Sequence, residues 1–272
     1  MPGYSIKSAG DIRCISFDIF SNTGLVEHAF TTRQGGVSRG PYRSLNLAFN
    51  VGDDPGAVLE NRRRISSVMG VNIRDMVAGQ QVHGKSVRVV TESDRGRGAG
   101  DYGDGFPETD ALVTDVPGVL LSSYYADCVP VMILDPVKKA AGLVHAGWKG
   151  TALRIAAAAL EAMGEAFGTD PGTCLAAIAP SIGSCCYEVD IPLIDSFRER
   201  GFDPGPFLKT AGNGRWNLDL RRANLATLVE AGVRAMNITL TDLCTACSPE
   251  LFFSYRGQSG QCGRMASLMV LK

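Results

Sequence analysis

No stretch of this chain reaches the roughly 18 consecutive apolar residues that mark a membrane-spanning helix. The segment Met1 to Asp11 is polar and lacks the apolar centre of a secretory signal. Charge of one sign is missing too. With 27 basic and 28 acidic residues the net charge is -1, so no whole-chain attraction to nucleic acid or to an anionic membrane is expected. The G-x-x-x-x-G-K-[ST] pattern of a P-loop is absent. Eight cysteines in 272 residues fall short of a disulfide scaffold. Several lie in apolar stretches, where reduced buried thiols are common. A reduced, cytoplasmic protein is expected. With no internal repeat and no long linker, a single domain over residues 1–272 is expected, long enough to bury a sizeable core.

Histidine is scarce as well: three residues in all. Two stand in glycine-flanked contexts, Gln80-Gln81-Val82-His83-Gly84 and His145-Ala146-Gly147-Trp148-Lys149-Gly150. Between them lies Tyr125-Ala126-Asp127-Cys128-Val129-Pro130. A thiolate and two neutral imidazoles are donors that zinc prefers, and three protein ligands leave a fourth position open, as catalysis requires. If His83, Cys128 and His145 converge, they form a metal site of a hydrolytic or group-transfer enzyme. The alternative is a buried cysteine with two hydrogen-bonded histidines. The spacing is long-range and is not that of a zinc finger.

Short runs rich in Val, Ile and Leu, bounded by Pro, Gly or Asp, predict strands at Ser86 to Thr91, Ala111 to Thr114, Val119 to Ser123, Val131 to Leu134, Ala141 to His145 and Cys174 to Ala179. Thr151 to Phe167, with its alanine-rich run, predicts one long helix; Asn61 to Met69, Ile191 to Arg200 and Leu220 to Ala231 predict others. Strands mixed with helices without strict alternation imply an α+β (mixed α/β) fold, with layered mixed sheets flanked by helices. Ser93 to Pro107 and Gly201 to Gly214 read as loops. All three candidate ligands then fall at strand ends.

Three further motifs carry alternatives. In Thr31-Thr32-Arg33-Gln34-Gly35-Gly36-Val37-Ser38, two glycines allow a nest of backbone N–H groups, and Arg33 adds a fork suited to phosphate. A hairpin turn with a solvated arginine is the other reading. Cys244-Thr245-Ala246-Cys247 is a lone CxxC with no second pair of that spacing, and is read as two ordinary thiols. The adjacent Cys185-Cys186 is read as structural. Asp127, beside Cys128, is a candidate proton donor, although neighbours on an extended segment face opposite ways.

At these motifs the chain resembles a family long labelled laccase-like or polyphenol oxidase, now also described as zinc-dependent purine nucleoside phosphorylases. The resemblance runs over roughly residues 20 to 272. Thr32-Arg33-Gln34-Gly35-Gly36-Val37-Ser38, Ser44-Leu45-Asn46-Leu47, Glu60-Asn61-Arg62, Gln81-Val82-His83-Gly84, Thr109-Asp110-Ala111, Ala126-Asp127-Cys128-Val129-Pro130, His145-Ala146-Gly147-Trp148 and Phe252-Phe253-Ser254-Tyr255-Arg256 carry it. Ala179, Ser184 and Gly257 depart from the expected pattern and bear on local loop shape.

The resemblance implies His83, Cys128 and His145 as metal ligands and catalytic residues. Zn2+ is the expected ion and Cu2+ the alternative. It implies phosphorolysis of adenosine, inosine, guanosine and methylthioadenosine, and deamination of adenosine. Purine nucleosides and phosphate are the expected partners, with Arg33, Asn46 and Arg62 at the substrate; a homodimer is compatible with it. The fold also resembles that of a cysteine-dependent deamidase toxin, which keeps a rival in view: Cys128 as nucleophile and His145 as base. Three histidines cannot furnish the several copper centres of a laccase.

Overall fold

The computed structural model describes residues 3–272. Two six-stranded mixed sheets pack face to face, and a small three-stranded sheet stands beside them. The first large sheet runs, in spatial order, Tyr4–Ala9, Ile12–Phe17, Val26–Thr31, Met265–Leu271, Leu120–Tyr125 and Met76–Ala78. The second runs Ile238–Leu240, Leu175–Ile178, Val129–Asp135, Ala140–Ala146, Ala111–Thr114 and Val87–Val89. Within these two sheets, among the described residues, the parallel strand pairs fall at the edges: Met76–Ala78 on Leu120–Tyr125, Ile238–Leu240 on Leu175–Ile178, and Val87–Val89 on Ala111–Thr114.

Side-chain alternation along the two central strands of the second sheet explains the layering. Val129, Val131 and Ile133, with Ala140, Val144 and Ala146, face the helices Ile155–Phe167 and Leu220–Glu230. Met132, Leu134, Ala141 and Leu143 face the first sheet, where they meet Phe30, Leu121, Met265 and Met269. Both faces are buried, so these strands read as continuous apolar runs. The helix Pro55–Val68 covers the outer face of the first sheet. The same period of two puts His145 on the face that looks between the sheets, at the end of its strand.

Three expectations change. The predicted helix over Thr151 to Phe167 is two helices, Trp148–Ala152 and Ile155–Phe167, because Arg154 takes a left-handed conformation with φ 57°. Propensity favours helix across the junction, but one left-handed residue ends the ladder. The strand Met265–Leu271, missed in the sequence, pairs with both Val26–Thr31 and Leu120–Tyr125 at the centre of the first sheet. The turn at Gly35 and Gly36 is no anion nest. A Cβ on Gly35 would lie 2.6 Å from the Asp11 carbonyl oxygen, and one on Gly36 would lie 2.1 Å from that of Ser44. These glycines exist for close backbone packing. The N–H groups of Gly36 and Val37 are already given to Ser44 Oγ and Asn61 Oδ1.

Candidate active site

The structure brings His83, Cys128 and His145 together, with their ligand atoms all within 4.8 Å of one another. Cys128 sits in the turn before Val129–Asp135, whose Pro130 is the register partner of His145. His83 comes from the loop after Met76–Ala78 and holds a left-handed φ of 63°. That conformation is unfavourable for a histidine and persists only where its surroundings impose it.

Asp110 imposes it. Its carboxylate accepts the backbone N–H groups of Val82, His83 and Gly84 at 3.2, 2.9 and 2.7 Å. Its Oδ1 also lies 2.8 Å from His145 Nδ1. One buried carboxylate, 2% exposed, therefore fixes the loop that carries His83 and the ring of His145. Burial raises the Asp110 pKa, but the bond to His145 and the backbone N–H groups outweigh it and hold the acid below its ordinary value. With Nδ1 bonded to Asp110, Nε2 is left to Cys128. Sequence reading matched Asp110 to a family segment but gave it no role. Its signal was a charged residue immediately before the buried strand Ala111–Thr114.

Burial pushes the Cys128 thiol up, yet the His145 and His83 rings beside it outweigh burial and bring it down to about 6. Burial likewise lowers His145, but Cys128 and Asp110 raise it to about 9. Cys128 Sγ and a ring nitrogen of each histidine face one point. Gly147 keeps that point open: a Cβ there would lie 2.6 Å from His83 Cδ2 and 3.1 Å from Cys128 Sγ. Two imidazoles, one thiolate and a carboxylate behind an imidazole match a transition-metal site and its outer shell.

The three residues open onto a cleft of about 590 Å³, within the roughly 300–1,000 Å³ of small-molecule sites. Tyr102, Tyr124, Trp148, Tyr187 and Tyr255 supply aromatic faces, and Arg256 and Arg264 supply positive charge. Asp127 reaches the cleft, but its carboxylate is engaged by Thr245 Oγ1 at 2.6 Å and Arg256 N–H at 2.7 Å. It braces two loops.

Arg33, Asn46 and Arg62 do not line this cleft. Arg33 donates to the carbonyls of Arg43 and Pro249 and stacks on Phe253. Asn46, fully buried, bonds Asp53 and Ala48 and accepts the Arg264 N–H. Arg62, 2% exposed, donates to the carbonyls of Leu47, Gly98 and Ala99 and lies between the rings of Phe49 and Tyr124. The bonds these three side chains make go to backbone carbonyls and loop ends. Arg256 and Arg264 are the arginines that line the cleft.

A mixed-sheet sandwich with a Cys–His–His donor set at strand ends, opening on an aromatic and cationic cleft, is the architecture of a small-molecule enzyme. The chain belongs to the family described as multi-copper polyphenol oxidoreductase laccase, which matches residues 27–272. It is 41% identical over 241 residues to purine nucleoside phosphorylase YlmD of Geobacillus stearothermophilus, covering 88% of each chain. It is 35% identical to adenosine deaminase RL5 of an unknown prokaryotic organism, covering 87% of this chain and 90% of that one. The crystal structure of YlmD from Geobacillus stearothermophilus superposes over the full length of both chains with a TM-score of 0.93 at 36% identity. Among the described residues, no helix is long and apolar enough to cross a membrane.

Proposed function

We propose that this chain is a zinc-dependent purine nucleoside phosphorylase that also deaminates adenosine. The observation that carries the reading is the convergence of His83, Cys128 and His145 on an aromatic, cationic cleft, in a chain whose relatives bear those two names. His83, Cys128 and His145 would hold the zinc. Bound there, zinc supplies Lewis-acid stabilisation of developing negative charge.

The chain's own residues do the rest. The tyrosines and Trp148 offer faces on which a planar purine stacks. Arg256 and Arg264 place and neutralise phosphate against the ribose C1′. A phosphate oxygen bonds to C1′ as the C1′–N9 bond breaks. The electron pair of that bond and one proton go to the base, giving the free purine and ribose 1-phosphate. The donor set also accepts copper, but one three-donor site does not furnish the several centres of a multicopper oxidase.

A second reading has one observation in its favour. Cys128, His145 and Asp110 stand in line, as the nucleophile, base and orienting acid of a cysteine hydrolase would. Intact-mass measurement after incubation with amide substrates separates the two. The phosphorylase forms no acyl adduct at Cys128. An acyl-enzyme at Cys128, without phosphate-dependent release of hypoxanthine from inosine, would establish the hydrolase instead.

A further inference from the structure

Cys244 and Cys247, read in the sequence as ordinary thiols, and Cys185 and Cys186, read as structural, meet at a second place. Cys185 and Cys186 lie in the turn after Leu175–Ile178, and Cys244 and Cys247 in the loop after Ile238–Leu240. Their sulfurs lie within 4.8 Å of one another, with Cys247 Sγ 3.5 Å from Cys185 Sγ and 3.4 Å from Cys186 Sγ. We propose that Cys185, Cys186, Cys244 and Cys247 bind a second zinc ion, as a closed four-thiolate site that clamps two loops beside the cleft.

The geometry suits the ion. Zinc–sulfur bonds of about 2.3 Å in a tetrahedron put sulfurs about 3.8 Å apart, so small shifts would seat it. Adjacent cysteines on an extended strand would face opposite ways. Here residues 184–186 form a turn, in which the N–H groups of Cys186 and Tyr187 both reach the Gly183 carbonyl. That turn lets both sulfurs reach one point. Cys244 Sγ accepts the N–H of Gly183 at 3.2 Å and also that of Cys247. Backbone N–H groups aimed at a sulfur are the support that a bound thiolate needs. Gly183 leaves room: a Cβ there would lie 3.1 Å from Cys185 Sγ and 3.0 Å from Arg221 Nη2. Arg221 therefore stands close enough to offset the net negative charge of a four-thiolate zinc. A disulfide fits the arrangement less well. Cys185 and Cys186 stand equally near Cys247, so one bond would strand the other sulfur.

The clamp would act on the cleft through Asp127. The loop at 181–187 gives the Ile182 N–H to the Asp127 carbonyl and carries Tyr187 into the cleft. The loop at 244–256 gives Thr245 Oγ1 and the Arg256 N–H to the Asp127 carboxylate. Ser181 and Cys244 form a β-bridge between them. Tying the two loops together fixes the turn that carries Cys128.

The test counts zinc in the full chain, purified reduced and loaded with zinc, by elemental analysis. The wild type should hold two ions. C185S/C247S and C128S should hold one each, and the triple variant none. Cys185 and Cys247 are exposed, so the double variant should keep its fold. Cobalt loading of the C128S chain gives a second readout. It should show intense thiolate-to-metal charge transfer, which is lost in the triple variant. The proposal is overturned if C185S/C247S holds as much zinc as the wild type, or if the C128S chain holds none. It is also overturned if the wild type holds one ion and is lighter by two hydrogen atoms, the mark of a disulfide. Nucleoside chemistry enters none of these readouts, so the two proposals fail separately.

Discussion

Asp110 Oδ1 lies 2.8 Å from His145 Nδ1, and the same carboxylate holds the three N–H groups of the loop that carries His83. A residue that need not touch a substrate thus sets the geometry of two of the three candidate ligands. Asp110→Asn keeps the shape and loses the charge. Zinc affinity at the first site should fall about 10–100-fold, with the fold retained. Competition with a chelator, in the C185S/C247S background, checks this. Unchanged affinity would reduce Asp110 to a loop anchor.

Gly147→Ala tests the space around that site. The added methyl would lie 2.6 Å from His83 Cδ2 and 3.1 Å from Cys128 Sγ. One partner must move, and both are candidate ligands. The variant should fold and lose its first-site zinc. Full occupancy at wild-type affinity would contradict the convergence of these side chains on one ion.

Arg62 and Arg33 should act on stability more than on substrate. Arg62→Met leaves three carbonyls without a donor and removes the cation between Phe49 and Tyr124. A loss of about 3 kcal/mol is expected in chemical denaturation. Arg33→Lys should leave KM for phosphate unchanged, whereas Arg264→Lys should raise it several-fold. Steady-state kinetics with phosphate varied compares the two. A raised KM for phosphate in Arg33→Lys alone would return the anion site to the glycine turn.

His28 predicts how stability depends on pH. Burial and nearby Lys7 lower its pKa from the ordinary 6.5 to about 4, and its Nε2 accepts the Phe17 N–H at 2.8 Å. The folded state keeps this ring neutral while the unfolded chain takes up a proton below pH 6.5. Its stabilisation is therefore present above pH 6.5 and lost as pH falls towards 4, by on the order of 3 kcal/mol. His28→Gln should flatten the thermal unfolding profile across that window. An equal slope in both proteins would show that other groups govern it.

Much of the second sheet was legible because its strands are buried on both faces and read as apolar runs. Ala111 to Thr114 is found with the bounds expected, and Val131 to Leu134 and Ala141 to His145 lie within longer strands. Tyr4–Ala9 was missed because it is almost wholly exposed and shows no apolar run, although its partner Ile12–Phe17 is the next strand in the chain. Met265–Leu271 was missed because the strands that flank it lie far away in the chain. The candidate ligands stood out because histidine is rare and each is set among small turn residues. Arg62 and Asn46 could not be separated from cleft residues, because a motif does not say whether a polar group meets a ligand or a carbonyl. The four-cysteine cluster escaped because its pairs come from two loops and lack zinc-finger spacing.

The central claim is tested most directly by incubating the zinc-loaded chain with inosine, with and without phosphate, and measuring both products. The account predicts hypoxanthine and ribose 1-phosphate in equal amounts with phosphate, and neither without it. Hypoxanthine released at the same rate in the absence of phosphate, or no ribose 1-phosphate from any purine nucleoside by the metal-loaded chain, would contradict it.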